Sequence, residues 1–206
     1  KVFTMYEGWD EEKEKQKRST LVGKTMLAGM EKSTEFHEKR EACIRKKYNA
    51  DEIGQRILNG DGGSWIKEPY DPDTIFQLDR YHIYQEILRK ISHKEAQKEI
   101  RRLFDEEKIE EMLEYIQIYA TSVASPDEKD NSSKNAMELY QYLNNNKEGL
   151  LPYNKRGIAI PEPKEGLLYK GMGIQETQNC TVITLRMKHR RMRWSVGGAN
   201  NLAKAL

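Results

Sequence analysis

The pattern of apolar and polar positions changes character along the chain. Near the start, two runs rich in β-branched and aromatic residues, "KVFTMYEGW" and "TLVGKTMLAGM", flank the charged run "DEEKEKQKRS". Such runs, bounded by polar breaks, read as strands, so an antiparallel hairpin with a long solvated turn is expected here. In "STEFHEKREACIRKKYN" the apolar side is marked by Phe36, Ile44 and Tyr48, with Cys43 beside them. That segment reads as a helix, with Ser33 or Thr34 placed to cap it and Asn49 to stop it. "GQRILNGDG" is a short apolar strand ending in glycine, and "TIFQLD" is a second strand of buried type running into the helical "RYHIYQEILRKI". Strand and helix alternating in this order imply parallel pairing with right-handed crossovers.

From 94 to 148 the period becomes wholly helical. Ile100, Leu103, Phe104, Ile109, Met112, Leu113 and Ile116 recur three and four apart, which places them on one face. "SPDEKDNSS" is a turn, "KNAMELYQYLNNN" a further short helix, and "GLLPYNKRGIAIPEPKEG" a return loop by its prolines and glycines. "GMGIQETQNCTVITLRMKHRRMRW" is expected to be a helix entered through glycines, and the terminal "NNLAKAL" looks like an unfinished one. The pattern thus divides the chain into a mixed part at 1–93, a helical part at 94–150, and a return loop with a basic helix at 151–206.

Composition narrows the class. Of 206 residues, 33% are charged and 37% hydrophobic, which is polar but sufficient for one core of moderate size. No run approaches the roughly 18 apolar residues of a membrane-spanning helix, and no signal segment opens the chain. Cys43 and Cys180 lack metal-ligand spacing and read as reduced thiols of a cytoplasmic protein. A net charge of +2 says little; its distribution says more. Residues 94–148 are acidic, whereas Arg186, Lys188, Arg190, Arg191 and Arg193 form a concentrated basic end able to meet a polyanion.

Four features carry candidate chemistry, each with a plainer alternative. Asp61, between glycines at a strand end, can reach a cleft unobstructed, and glycine lets a ligand approach the backbone; Asn-Gly and Asp-Gly are equally common turn dipeptides. Asp79 and His82, three apart where strand passes into helix, lie on one face and can share a metal or a phosphate or simply form a local hydrogen bond, or Asp79 can cap the helix. Glu176 would share an otherwise apolar helix face with Cys180, Ile183 and Met187, explained either by the helix dipole or by a metal in a cleft. Arg186, Arg190 and Arg193 fall at helical spacing, a self-repelling stripe unless it faces phosphates or acidic partners. Trp194 beside them could stack on a base or anchor the helix. His37, His93 and His189 read as surface or packing residues.

Taken in order, "NGDGGSWIK", "FQLDRYHIYQEI", a helical stretch and "GIQETQNCTVITLRMKHRRMRWSVGGANNLAKAL" resemble the DDE transposases of bacterial insertion sequences. The likeness is greatest to the ISLre-type group, relatives of the Mutator-like transposases. This resemblance implies an RNase H-like mixed sheet interrupted by a helical insertion. It also implies DNA strand cleavage and transfer with two divalent ions, Mg2+ or Mn2+, on a DNA substrate, with self-association in a transposition complex. Asp61 matches the second catalytic carboxylate and Glu176 the final glutamate, both as metal ligands. Asp79 and His82 match an Asp-x-x-His element near the active site, and the basic helix would hold phosphates.

The first aspartate of that family lies on a strand before the hairpin, and here the hairpin opens the chain. Asp10, in the polar run, is a poor replacement. The first strand and first carboxylate are therefore expected to be missing, as in a fragment or the remnant of a decayed element, with no strand transfer by this chain as it stands. Two other readings stay open: a non-catalytic or domesticated nucleic-acid-binding module, and a helical interaction protein built on 94–148.

Overall fold

The computed structural model describes residues 1–67, 74–125, 130–174, 180, 184 and 193–204. In chain order the elements are β1 (Val2–Met5), β2 (Gly8–Asp10), α1 (Glu11–Lys15), β3 (Leu21–Val22), β4 (Thr25–Ala28), α2 (Ser33–Lys47), β5 (Arg56–Gly60), α3 (Ser64–Lys67), β6 (Thr74–Leu78), α4 (Arg80–Lys90), α5 (Lys94–Asp105), α6 (Ile109–Ser122), α7 (Ser132–Asn145), β7 (Leu167–Leu168) and α8 (Val196–Lys204). They form a mixed α/β protein of two units: one of residues 1–56, 69–74 and 159–206, the other of 57–68 and 75–158. The helices of 94–150 belong to the second unit together with most of β5, most of β6, and α4.

In the first unit the opening hairpin is antiparallel, but it is split between two ladders. β1 pairs with β4, Val2 opposite Ala28 and Met5 opposite Thr25. β2 instead lies between β3 and β7. The apolar run at 1–9 therefore breaks at Tyr6 and Glu7, where the chain changes partners. The charged run expected as a turn holds α1, a correction with a local cause. The Asp10 carboxylate accepts from the Lys13 backbone N–H at 3.0 Å, and Glu11, Glu12 and Glu14 crowd the first turn. Both features favour a helix N-terminus without any apolar face.

Helix α2 also starts differently from expectation. Its cap position is Lys32, with no side-chain cap bond, and Ser33 lies inside the helix. Its buried stripe is Phe36, His37 and Arg40, shifted toward the N-terminus from the Phe36–Ile44–Tyr48 side; Ile44 and Tyr48 are only half-buried. Arg40 and Arg56 both pair with Glu41, at 3.3 and 3.0 Å, which compensates a cation taken out of water. Near the end of the chain, Ala199 of α8 packs on Ala28 with Val2 and Leu202 around them, and Asn200 Oδ1 accepts from the Met30 backbone N–H at 3.0 Å.

The second unit holds the larger core. Leu78, Ile83, Ile87, Ile100, Met112, Ile116, Leu139 and Leu143 are completely buried in one cluster, each stabilising the fold by roughly 1.5–3 kcal/mol through burial. All seven residues singled out by helical spacing in 94–122 are buried there. The long helical pattern is nonetheless two helices. Glu107 takes a φ of +62°, and the N–H groups of Glu107 and Lys108 donate back to the carbonyls of Phe104 and Leu103 at 3.0 and 2.9 Å. This paired capping closes α5 and turns the chain into α6.

The strands β5 and β6 are neighbours. Asp79 N–H donates to the Gly60 carbonyl at 2.8 Å, so their C-terminal ends lie side by side, the sense a parallel pair requires. The segment after α7 is fastened to β6. Gln77 donates to the Gly149 carbonyl at 2.8 Å, and Arg156 reaches the Phe76 carbonyl and Gln77 Oε1 at 2.7 and 3.0 Å. Burial holds the Arg156 guanidinium below its ordinary pKa range. Among the described residues, no helix is long and apolar enough to cross a membrane.

Candidate functional site

The C-terminal ends of two adjacent strands are where α/β sheets present loops to ligands, and in the second unit that place is occupied by Asn59, Asp61 and Asp79. Strand β5 delivers Asn59 and, one residue past its end, Asp61; β6 delivers Asp79, the residue before α4. Asp79 is buried and both of its oxygens are used. Oδ1 accepts from Tyr81 N–H at 2.9 Å, capping α4, and Oδ2 accepts from Asn59 Nδ2 at 2.7 Å. Asp61 is exposed. Its Oδ1 accepts from Gly63 N–H at 2.9 Å, which closes a tight turn of the kind aspartate forms with its own backbone.

A second set of contacts comes from α7 and was not legible in the sequence. Tyr142 Oη donates to the main-chain carbonyl of Asp61 at 2.8 Å. Asn146, buried just past the helix, donates from Nδ2 to the Tyr142 carbonyl at 2.7 Å. Gly62 sits at φ +85°, and a Cβ placed on it would lie 2.8 Å from Asn146 Oδ1. The loop therefore lies close against the asparagine side chain, and its left-handed backbone favours glycine. Four-residue spacing of Tyr142 and Asn146 inside "YQYLNNN" was the only signal available.

The electrostatics are acidic. Burial raises the Tyr142 phenol above its ordinary range, and the negative charges of Asp61, Glu86 and Asp79 push it the same way. Two buried amide oxygens, Asn59 Oδ1 and Asn146 Oδ1, lack hydrogen-bond partners among the described residues. Their sister nitrogens donate to a carboxylate and a carbonyl, so the amide orientations follow from the bonding. Unpaired buried oxygens beside carboxylates are hard donors, of the type a magnesium ion prefers. Among the described residues, no three His, Cys, Asp or Glu side chains are grouped to hold one.

His82 lies on α4, half-buried, its ring edge-on to Tyr81 at 5.6 Å. Asp79 takes the capping role that was one of its alternatives. Glu176, Arg186, Lys188, Arg190 and Arg191 lie outside the described residues, as does most of the expected helix around them. Arg193 and Trp194 are described and exposed. Cys43 and Cys180 are free thiols. His37 is completely buried, in line with a packing role, whereas His93 is bonded through Nδ1 to Tyr119 Oη at 2.8 Å.

Fold and site together define a mixed α/β protein with an acidic loop at the carboxyl ends of a strand pair. The chain belongs to the family described as Uncharacterised protein family (UPF0236), whose model matches residues 1–206. No curated protein and no solved structure matches it.

Proposed function

We propose that this chain is part of the catalytic domain of a DDE transposase of the ISLre type, with an RNase H-like core and a helical insertion. The intact enzyme would cut and transfer DNA strands using divalent ions, with Asp61 and Glu176 as metal-holding carboxylates. The observation that carries this reading is the placement of Asp61. Asp61 is exposed on a glycine loop at the C-terminal end of β5, with its main-chain carbonyl held by Tyr142 Oη and one carboxylate oxygen by Gly63 N–H. Membership of one family along the whole chain, and the order of the motifs that resemble those transposases, support it further.

Bound magnesium would supply charge stabilisation at the scissile phosphate and a more acidic water or 3′-hydroxyl. The chain's own residues do the rest. Asp61 offers a carboxylate oxygen toward solvent, Asp79 stiffens the adjoining strand end, and Arg186, Lys188, Arg190, Arg191 and Arg193 would neutralise DNA phosphates.

The test uses the full-length protein of the reading frame on supercoiled DNA with magnesium. Nicking is expected, with loss in Asp61→Ala and in Glu176→Ala; undiminished nicking in both variants would remove the assignment. Replacing Arg190 and Arg191 by alanine should lower the salt slope of DNA affinity by about two phosphate contacts. A non-catalytic nucleic-acid-binding module is the alternative. DNA binding without nicking would establish it.

A further inference from the structure

Helix α7 does more than fill the helical stretch between the two halves of the chain. Its last turn grips the Asp61 loop at two points. Tyr142 Oη holds the Asp61 carbonyl at 2.8 Å, and Asn146 lies so close to Gly62 that a single added carbon would sit 2.8 Å from its Oδ1. Asn146 is itself locked, by its Nδ2 bond to the Tyr142 carbonyl and by the Gly149 N–H donating to the Asn146 carbonyl at 2.8 Å. Between these grips the Asp61 carboxylate is tethered to Gly63 N–H.

The geometry has a mechanical consequence. Turning the Asp61–Gly62 peptide breaks the Tyr142 bond, because the carbonyl that accepts it belongs to that peptide. Turning Gly62 away from its left-handed conformation drives the loop against, or away from, the Asn146 amide. The direction of the Asp61 carboxylate is thus set by side chains 81 and 85 residues further along. Helix α7 is in turn anchored by Leu139 and Leu143 in the main core and by an ion pair from Lys90 of α4 to Glu138.

We propose that Tyr142 and Asn146 are positioning residues for Asp61, and that α7 thereby tunes how well the site holds its divalent cation. The inference rests on the metal-dependent reading above. A ligand carboxylate must be held within about 0.5 Å of its working position, and a loop of Asn-Gly-Asp-Gly-Gly cannot achieve that alone.

Two measurements test it. In the 206-residue chain, amide hydrogen exchange is followed at Gly63, whose N–H is bonded to Asp61. Tyr142→Phe, which removes one hydroxyl, should speed that exchange about fivefold, the effect of losing one ordinary hydrogen bond, and leave α5 amides unchanged. Asn146→Ser should act in the same direction. In the full-length protein, the magnesium concentration for half-maximal nicking should rise about fivefold in Tyr142→Phe, with unchanged DNA affinity, a split that loss of folded protein would not produce. Unchanged Gly63 exchange in both variants overturns the positioning role. Faster exchange with an unchanged magnesium requirement overturns the link to the cation. Nicking that survives both Asp61→Ala and Glu176→Ala fails the catalytic reading itself, on different variants, so the two failures are told apart.

Discussion

Asn59 and Asp79, twenty residues apart in sequence, are joined by a 2.7 Å hydrogen bond between the ends of neighbouring strands. Asp79 also caps α4, so one buried carboxylate fastens strand to strand and strand to helix. Asp79→Ala removes the cap and leaves Asn59 Nδ2 without its acceptor. The cap is worth about 1 kcal/mol and an unmet buried donor costs a further ~1–3 kcal/mol. Urea denaturation should show a loss of about 2–4 kcal/mol. Asp79→Asn, which keeps the cap oxygen, should lose clearly less; equal losses would mean the cap contributes nothing.

Glycine at position 62 is the second point of sensitivity. Gly62→Ala meets both a left-handed backbone and the Asn146 amide, whereas Gly157, at φ +68°, has open space around it. The backbone penalty of about 1–2 kcal/mol applies to both. Gly62→Ala should therefore be the more destabilising in parallel denaturation curves. Matching curves would show that the Asn146 side chain swings away at no cost.

Alkaline pH should weaken the first unit. Tyr48 Oη donates to Glu7 Oε1 at 3.1 Å, and burial first, then that carboxylate, raise its phenol from the ordinary 10.0 to about 12. The folded chain holds this proton more tightly than the unfolded one. The contribution is whole below pH 10 and is lost as pH rises toward about 12. The thermal midpoint should fall across that window, and Tyr48→Phe should flatten the fall. An identical profile in the variant would sink the assignment.

Core truncation in α7 gives a further check. Leu139 is completely buried among α4, α6 and α7 residues, and Leu139→Ala should cost about 2–5 kcal/mol. A loss under about 1 kcal/mol would mean that the cluster is loosely packed.

Much of the second unit could be read from spacing alone, because apolar residues three and four apart leave few other ways to be buried. Residues such as Met112 and Ile116 needed no knowledge of partners. The first unit was harder. α1 has no apolar residue, so its signal was the Asp10 cap and its charges, which a polar turn would share. The split of the opening strand depends on Leu167 and Leu168, remote in sequence. For the site, Asp61 stood out as an acid among glycines next to a strand. Tyr142 did not, because its role exists only once α7 has folded back onto β5.

The interleaving of the two units bears on the order in which the protein can assemble. The last residue the second unit needs is Ile158, whereas the first unit needs 159–206. As the chain leaves the ribosome, units fold when their residues are all available. The middle of this chain can therefore finish folding while its opening strands still wait, β2 for its edge partner β7 and β4 for α8. A stalled or shortened product would carry a completed acidic loop in one unit and an unfinished, adhesive sheet in the other.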